Sequence, residues 1–211
     1  MANHETLRVG IGMGSTSDLA ETMIFAGRAL TALGLKSNVD YEERVLSAHR
    51  THNEMKEYAE KAEEKGLKVL IYGAGGSAHL QGMSASDTLL PVLGVAVTSN
   101  PDVMNPALGS MIRMPEGKPL ASFMGKSGAY NAGLFAARIL LPYDRDLRQA
   151  YIDYETAMAD TTRFTDHWLK LLGGEEYTEF EKGLKLLQKH EIGEDFPGSL
   201  LEEAKTTALT E

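Results

Sequence analysis

Apolar residues fall along this chain in short runs, and most runs are followed by a small polar turn and then by a stretch with helical spacing. Leu7 to Met13, apolar residues and glycine apart from Arg8, has the pattern of a short buried strand. The turn Gly14-Ser15-Thr16-Ser17 follows, and from Asp18 the apolar positions recur at helical spacing as far as Leu33. Ser37 to Leu46 carries the alternation of a strand, and Asn53 to Lys65, rich in Glu, Lys and Ala, reads as a helix ended by Gly66. The unit then repeats: Leu67 to Tyr72 as a third strand, a glycine-rich turn, a helix from about His79 to Leu89, and a fourth strand at Pro91 to Val97. Pro119 to Met124 reads as a fifth strand that leads through Gly125 into a helix ending near Leu140.

Strands alternating with helices at this spacing predict an α/β fold, a doubly wound parallel sheet with right-handed crossovers and helices on both faces. Ligands of such sheets sit outside the carboxyl ends of the strands. The turns at Gly14, Ser47 and Gly73 all follow strands, so they are expected to converge on one edge. Beyond Pro142 the pattern changes to one long amphipathic segment, Asp144 to Leu172, then Gly173-Gly174, then a second helical stretch from Glu175 to His190. This divides the chain into a catalytic α/β domain over 1–142 and a helical extension over 143–211. The extension's apolar positions (Leu147, Tyr151, Tyr154, Met158, Phe164, Trp168, Leu172) need a surface to cover, on the parent domain or on a neighbouring subunit.

A length of 211 residues, 43% of them hydrophobic, suits one well-buried core. A formal charge of -9 leaves no basic stripe to follow a phosphodiester backbone, which argues against nucleic acid as a partner but not against a small phosphorylated ligand held by local backbone N–H groups and one arginine. With no cysteine, the chain can build neither disulfides nor a thiolate nucleophile nor a sulfur-ligated metal, and no histidine or carboxylate cluster has metal-binding spacing. Met1 to Thr6 is short and polar and no run is long enough to span a bilayer, so the expectation is a cytoplasmic protein with no membrane partner.

Candidate chemistry lies in the three turns. Gly14-Ser15-Thr16-Ser17-Asp18 can present N–H groups and hydroxyls to a phosphate at a helix start, with Asp18 free to accept from ribose hydroxyls; equally, Ser and Asp there are ordinary helix caps. The glycines at 10, 12 and 14 do not match a dinucleotide fingerprint, so no nicotinamide cofactor is expected. In Ser47-Ala48-His49-Arg50, a phosphate paired with the Arg50 fork would fix His49 close to the rest of the ligand, although a lone loop histidine is commonly just solvated. Gly73-Ala74-Gly75-Gly76-Ser77-Ala78 lets a ligand approach the main chain and can form a nest for a carboxylate, or can serve only tight strand-to-helix packing. His79 then falls at the next helix start, in its positive backbone field. His4, His52, His167 and His190 have no such setting and read as surface or packing residues.

Taken together, Ser-x-Ser-Asp after the first strand, Ser-Ala-His-Arg-Thr after the second and Ala-Gly-Gly-x-Ala-His-Leu-x-Gly-Met after the third resemble, in order and spacing, the PurE family of purine biosynthesis, from about Leu7 to Leu140. The resemblance implies a flavodoxin-like three-layer α/β/α sandwich assembled as a homo-octamer, with sites at subunit boundaries and no metal or organic cofactor. It further implies that Ser15, Ser17, Asp18, Ser47 and Arg50 hold the 5-phosphate and ribose of a small ribonucleotide, that His49 is the general acid/base, and that the third loop encloses a migrating carboxyl group. In that loop Ala74, Gly75, Gly76 and Leu80 would line the ligand and His79 would share in the chemistry.

Ser-Ala-His-Arg and Gly-Gly-x-Ala-His-Leu are similar to class I members, which are N5-carboxyaminoimidazole ribonucleotide mutases. Class II members, which carboxylate aminoimidazole ribonucleotide with carbon dioxide directly, tend to have lysine for the arginine and an Arg-Ser-Asn variant of the third loop. The expected activity is therefore an isomerase. Direct carboxylation (a lyase), a related carboxylase acting on a different ribonucleotide, and a non-catalytic nucleotide-binding protein on the same fold stand as alternatives. The chain departs from the family in four places: His52 and Gln81 where proline is usual, Arg113 where glutamine is common, and a longer segment from about Glu155 onward. Each lost proline removes a φ restraint, and Gln81 adds hydrogen-bonding capacity.

Overall fold

The computed structural model describes residues 7–98 and 106–172, except the side chains of 164, 165 and 167–172. Five strands form one parallel sheet: β1 (Val9–Met13), β2 (Tyr41–Val45), β3 (Val69–Ala74), β4 (Val92–Ala96) and β5 (Ala121–Met124), in the order β2-β1-β3-β4-β5. Val9 pairs with both Tyr41 and Val69, so β1 is an interior strand and the chain reverses its direction of travel between β1 and β3. That reversal opens a crevice beyond the carboxyl ends of those two strands. The apolar runs read from the sequence are confirmed as buried strands: every residue of β1 and β4 is buried.

Helices cover both faces. On one, α2 (Ile24–Ala32) packs against α6 (Gly125–Leu140); on the other lie α3 (His52–Glu60), α4 (His79–Asp87) and α5 (Pro106–Ile112). The α2–α6 seam is made of small residues: Gly133 of α6 faces Ala26 and Ala29 of α2, and a Cβ there would come within 2.5 Å of the Ala26 carbonyl oxygen, so the two backbones lie close. Opposite it, Leu46, Met55, Tyr58, Leu67, Leu70, Tyr72 and Leu80 form a core cluster, each large apolar side chain contributing on the order of 1.5–3 kcal/mol by leaving water. α7 (Arg145–Leu172) follows Pro142. The chain divides into two units, Met1–Arg148 and Gln149–Glu211. Within the second, Tyr151 and Thr161 are buried while Ile152 and Met158 are exposed.

Three local readings change. The first helix starts at Thr16 as a single turn, α1 (Thr16–Asp18), and passes through a wide π turn at Leu19–Met23 before α2. The π turn ends on fully buried Met23, whose sulfur occupies the space over Gly73: a Cβ built there would lie 2.1 Å from it. Gly73 is thus needed for packing, just below the third loop. In β2 the expected alternation is absent, because β2 is a sheet edge with only Tyr41 fully covered, and Ser37 joins by an isolated bridge. α5 was not foreseen; seven residues with Gly109 and Ser110 in the middle carry too little helical propensity to be seen in isolation. The expected helix at Glu175 to His190, and His4, lie outside the described residues.

Below the sheet, at the amino end of β1, the Arg8 guanidinium donates to Asp40 at 2.6 Å and to Asp144, the residue whose other oxygen caps α7 by accepting from the Leu147 N–H at 2.9 Å. That cap, helped by Arg8, holds the Asp144 carboxyl below its ordinary range.

Candidate active site

The strand ends are laced together where the expected loops emerge: the Gly14 N–H donates to the Gly73 carbonyl (3.0 Å), the Leu46 N–H to the Met13 carbonyl (2.7 Å) and the Val97 N–H to the Ala74 carbonyl (3.1 Å). Three separate motifs therefore meet on one edge.

The first loop ends in a helix cap. Ser15 Oγ accepts from the Asp18 N–H (3.4 Å) and lies 2.8 Å from Ser17 Oγ. Partial burial pushes the Asp18 carboxyl above its ordinary range, against the hydrogen bonds from Ser15 and the nearby Arg50 charge, which favour the ionised form. A half-buried carboxylate facing a positively charged neighbour is suited to accept from hydroxyls of a ligand.

The second loop satisfies itself. The Ser47 N–H donates to Thr51 Oγ1 (2.9 Å), the Thr51 N–H to the Ser47 carbonyl (3.1 Å), and the Arg50 N–H to Ser47 Oγ (3.2 Å). With its backbone so held, the turn presents His49 and Arg50 at the surface. The guanidinium reaches across to the first loop, Nη2 donating to the Gly14 carbonyl at 3.2 Å and Nε to Ser47 Oγ at 3.4 Å. Among the described residues no carboxylate lies within ion-pair distance of Arg50, which leaves its charge for an incoming anion.

The third loop turns through two left-handed residues, Gly76 (φ 59) and Ala78 (φ 49). A non-glycine residue there is strained, and such strain gathers at functional sites. Ala78 is the N-cap of α4 and offers no side-chain cap, so α4 begins directly with His79. His79 Nδ1 lies 2.9 Å from His49 Nε2, the rings 5.1 Å apart and nearly perpendicular at 82°. One N–H sits between these nitrogens, which couples the tautomers of the two rings and leaves His49 Nδ1 and His79 Nε2 for other partners.

Ser15, Ser17, Asp18, Ser47, His49, Arg50, Ala74, Gly75, Gly76 and His79 are thus carried by three loops of one edge. Leu80 differs: its side chain is buried in the cluster of Met55 and Tyr72, so only its backbone is available to a ligand. Two features escaped sequence reasoning. One is the direct contact of the imidazoles, 30 residues apart in the chain. The other is a cavity of about 210 Å³ lined by Ala78, His79, Gly82, Met83, Ser110, Met111 and Met114; the last three of these come from α5 and the residues after it, which the pattern did not reveal. Among the described residues no group of three or more His, Asp or Glu side chains could hold a metal ion, and no helix is long and apolar enough to cross a membrane.

Comparison with known proteins decides the lineage: the family model described as AIR carboxylase matches residues 8–161. The chain belongs to the AIR carboxylase family. Among its AIR carboxylase relatives, the N5-carboxyaminoimidazole ribonucleotide mutase of Bacillus subtilis is 54% identical over 140 residues, 66% of this chain and 83% of that protein. The Escherichia coli mutase of the same name is 47% identical over 154 residues, 72% of this chain and 88% of that one. The crystal structure of Treponema denticola PurE superposes with a TM-score of 0.67 at 26% identity, covering 77% of this chain and 98% of that one. The matched region contains all three loops and ends inside α7.

Proposed function

We propose that this enzyme of purine biosynthesis converts N5-carboxyaminoimidazole ribonucleotide into 4-carboxy-5-aminoimidazole ribonucleotide, with His49 as general acid and base. The observation that carries the reading is the hydrogen-bonded imidazole pair on an edge shared with the unneutralised Arg50 and the Ser15–Asp18 turn. The activity named for the mutase relatives supports the reaction itself.

Arg50, Ser47, Ser15 and Ser17 would hold the 5-phosphate, and Asp18 would accept from the ribose hydroxyls. The N–CO₂ bond of the carbamate breaks and the electron pair left on nitrogen takes a proton from the His49 imidazolium; carbon 4 of the ring attacks the carbon dioxide released; the hydrogen left on that carbon passes as a proton back to the now neutral imidazole, so no net proton is used. His49 Nε2 is engaged by His79, so Nδ1 is the atom that receives it. If the Nε2 proton donates to His79, Nδ1 carries the lone pair, and the contact becomes part of the base. The third loop, with Ala74, Gly75 and Gly76, would enclose the carboxyl group and keep the two fragments together, which turns recombination into an intramolecular event. No cofactor enters these steps.

The assembly we propose is a cytoplasmic homo-octamer in which residues 143–211 cover a neighbouring subunit, testable by the native mass of the full chain. The activity is tested by giving the purified protein either the carbamate or aminoimidazole ribonucleotide with bicarbonate. Fast conversion of the carbamate alone establishes the mutase. Efficient use of the uncarboxylated nucleotide at modest carbon dioxide makes it the carboxylase, and reaction of neither overturns both.

A further inference from the structure

α4 carries His79 in its first turn, yet little about the helix explains how that turn is held. It is nine residues long, starts from a left-handed alanine without a side-chain cap, and includes Gly82, Ser84 and Ser86. Of its three fully buried side chains, Leu80, Gln81 and Ser84, two are polar. Ser84 Oγ donates to the sulfur of Met55, a weak acceptor, at 3.1 Å.

Gln81 is different. Its side chain has no exposure at all, and its Nε2 donates to the carbonyl of Val95 in β4 at 3.0 Å. The stem lies over Gly94, where a Cβ would come within 3.2 Å of Gln81 Cγ and 2.6 Å of the Met111 sulfur. Its Oε1 is sealed from solvent and has no hydrogen-bond partner. A buried acceptor without a partner costs roughly 1–3 kcal/mol, so an apolar residue would make a more stable core at this place. A residue that lowers stability, two positions from a working imidazole, is the pattern expected where function overrides packing.

We propose that Gln81 is a positioning residue: its amide ties the first turn of α4 to the sheet so that His79 meets His49. The inference rests on the reading of the two histidines as one catalytic unit. Val95 is fully buried in an interior strand and makes a rigid anchor, whereas the loop before α4 is glycine-rich and does not. The contact it protects depends on that anchor, since an N–H···N bond of 2.9 Å is lost once the two nitrogens move apart by roughly 0.7 Å.

The test is Gln81→Leu in the full chain, with Gln81→Met as a second variant whose flexible side chain fits the same space. Both are expected to melt at or above the wild-type temperature while kcat falls about 10-fold, the value of one hydrogen bond of about 1.4 kcal/mol, with KM unchanged. Gln81→Pro, which pins the backbone of the same turn by its ring, is expected to recover most of the lost kcat. Long-range ¹H–¹⁵N spectra of histidine-labelled protein read the tautomers without turnover: fixed for His49 and His79 in the wild type, averaged in Gln81→Leu. Wild-type kcat with unchanged tautomers in the Leu and Met variants overturns the proposal, as does a loss of activity that tracks a loss of stability. A wild-type protein inactive on both nucleotides breaks the functional reading instead, and the spectra then decide the role of Gln81 alone.

Discussion

A guanidinium meets each end of β1, and the two are used in opposite ways. At the amino end Arg8 is half-buried and saturated by two carboxylates, Asp40 and Asp144, from the residues before β2 and the start of α7. At the carboxyl end Arg50 is exposed, its hydrogen bonds to the Gly14 carbonyl and Ser47 Oγ are long, and among the described residues no carboxylate lies within ion-pair distance of it. The first arrangement spends its charge inside the protein and fixes chain segments. The second is held by neutral acceptors, which orient the fork without cancelling its charge. The same residue type thus serves the fold at one edge and a ligand at the other, and the partners distinguish them.

The sharpest break between the two edges is expected from the imidazoles. His49→Asn should lower kcat by about 100- to 10,000-fold while the melting temperature stays within a degree or two, because an exposed loop residue adds little to the core. Kinetics with the carbamate and a thermal melt check both halves, and an active variant removes His49 from its role.

Next, Arg50→Ala should raise KM for the nucleotide about 10- to 100-fold, the value of a charge-assisted contact, with the fold unaffected. Arg8→Ala should do the reverse, leaving KM alone and lowering unfolding free energy by about 1–2 kcal/mol as two carboxylates lose their partner. Denaturant titration alongside steady-state kinetics separates the two, and equal effects of both variants on KM would erase the contrast.

A smaller effect belongs to the carboxylates beside each arginine. Asp144 has its folded pKa lowered by the Leu147 N–H and by Arg8, so its contribution is present above the unfolded pKa near ~3.9 and is lost as pH falls through the folded value. Asp144→Ala should therefore cost about 1 kcal/mol at neutral pH, as for other helix caps, and almost nothing in strong acid. Asp18 has its pKa raised by burial, so the sign is opposite: its ionised form costs stability at neutral pH, and the penalty fades as pH falls through the folded value. Asp18→Asn should give a small rise in melting temperature of the free protein at pH 7 together with weaker nucleotide binding. Melts across pH, with and without nucleotide, test both.

Much of this could be read along the chain because it is local. Apolar runs such as Leu67 to Tyr72 and the turns that end them depend on near neighbours, and their alternation with helices leaves few ways to assemble a parallel sheet, all of which bring the turns at Gly14, Ser47 and Gly73 to one edge. The family could be recognised for the same reason, since its motifs are those turns. β2 misled because its environment, a sheet edge, is a property of neighbours that are distant in sequence. α5 was missed because its seven residues have little helical preference of their own and are stabilised by packing, with Ala107 and Met111 buried.

The sequence by itself determined the strand-loop-helix order, the residues placed at the carboxyl edge and the absence of thiol chemistry, because backbone preferences and hydrophobic period act over a few residues. Only the tertiary structure decided that His49 and His79 share a hydrogen bond, that Arg8 is ion-paired while Arg50 has no ion pair among the described residues, and that Gln81 is sealed against β4. Each of these depends on a distance of about 3 Å between groups far apart in the chain, and hydrogen bonds and ion pairs of that length exist only once the packed core has brought the groups together.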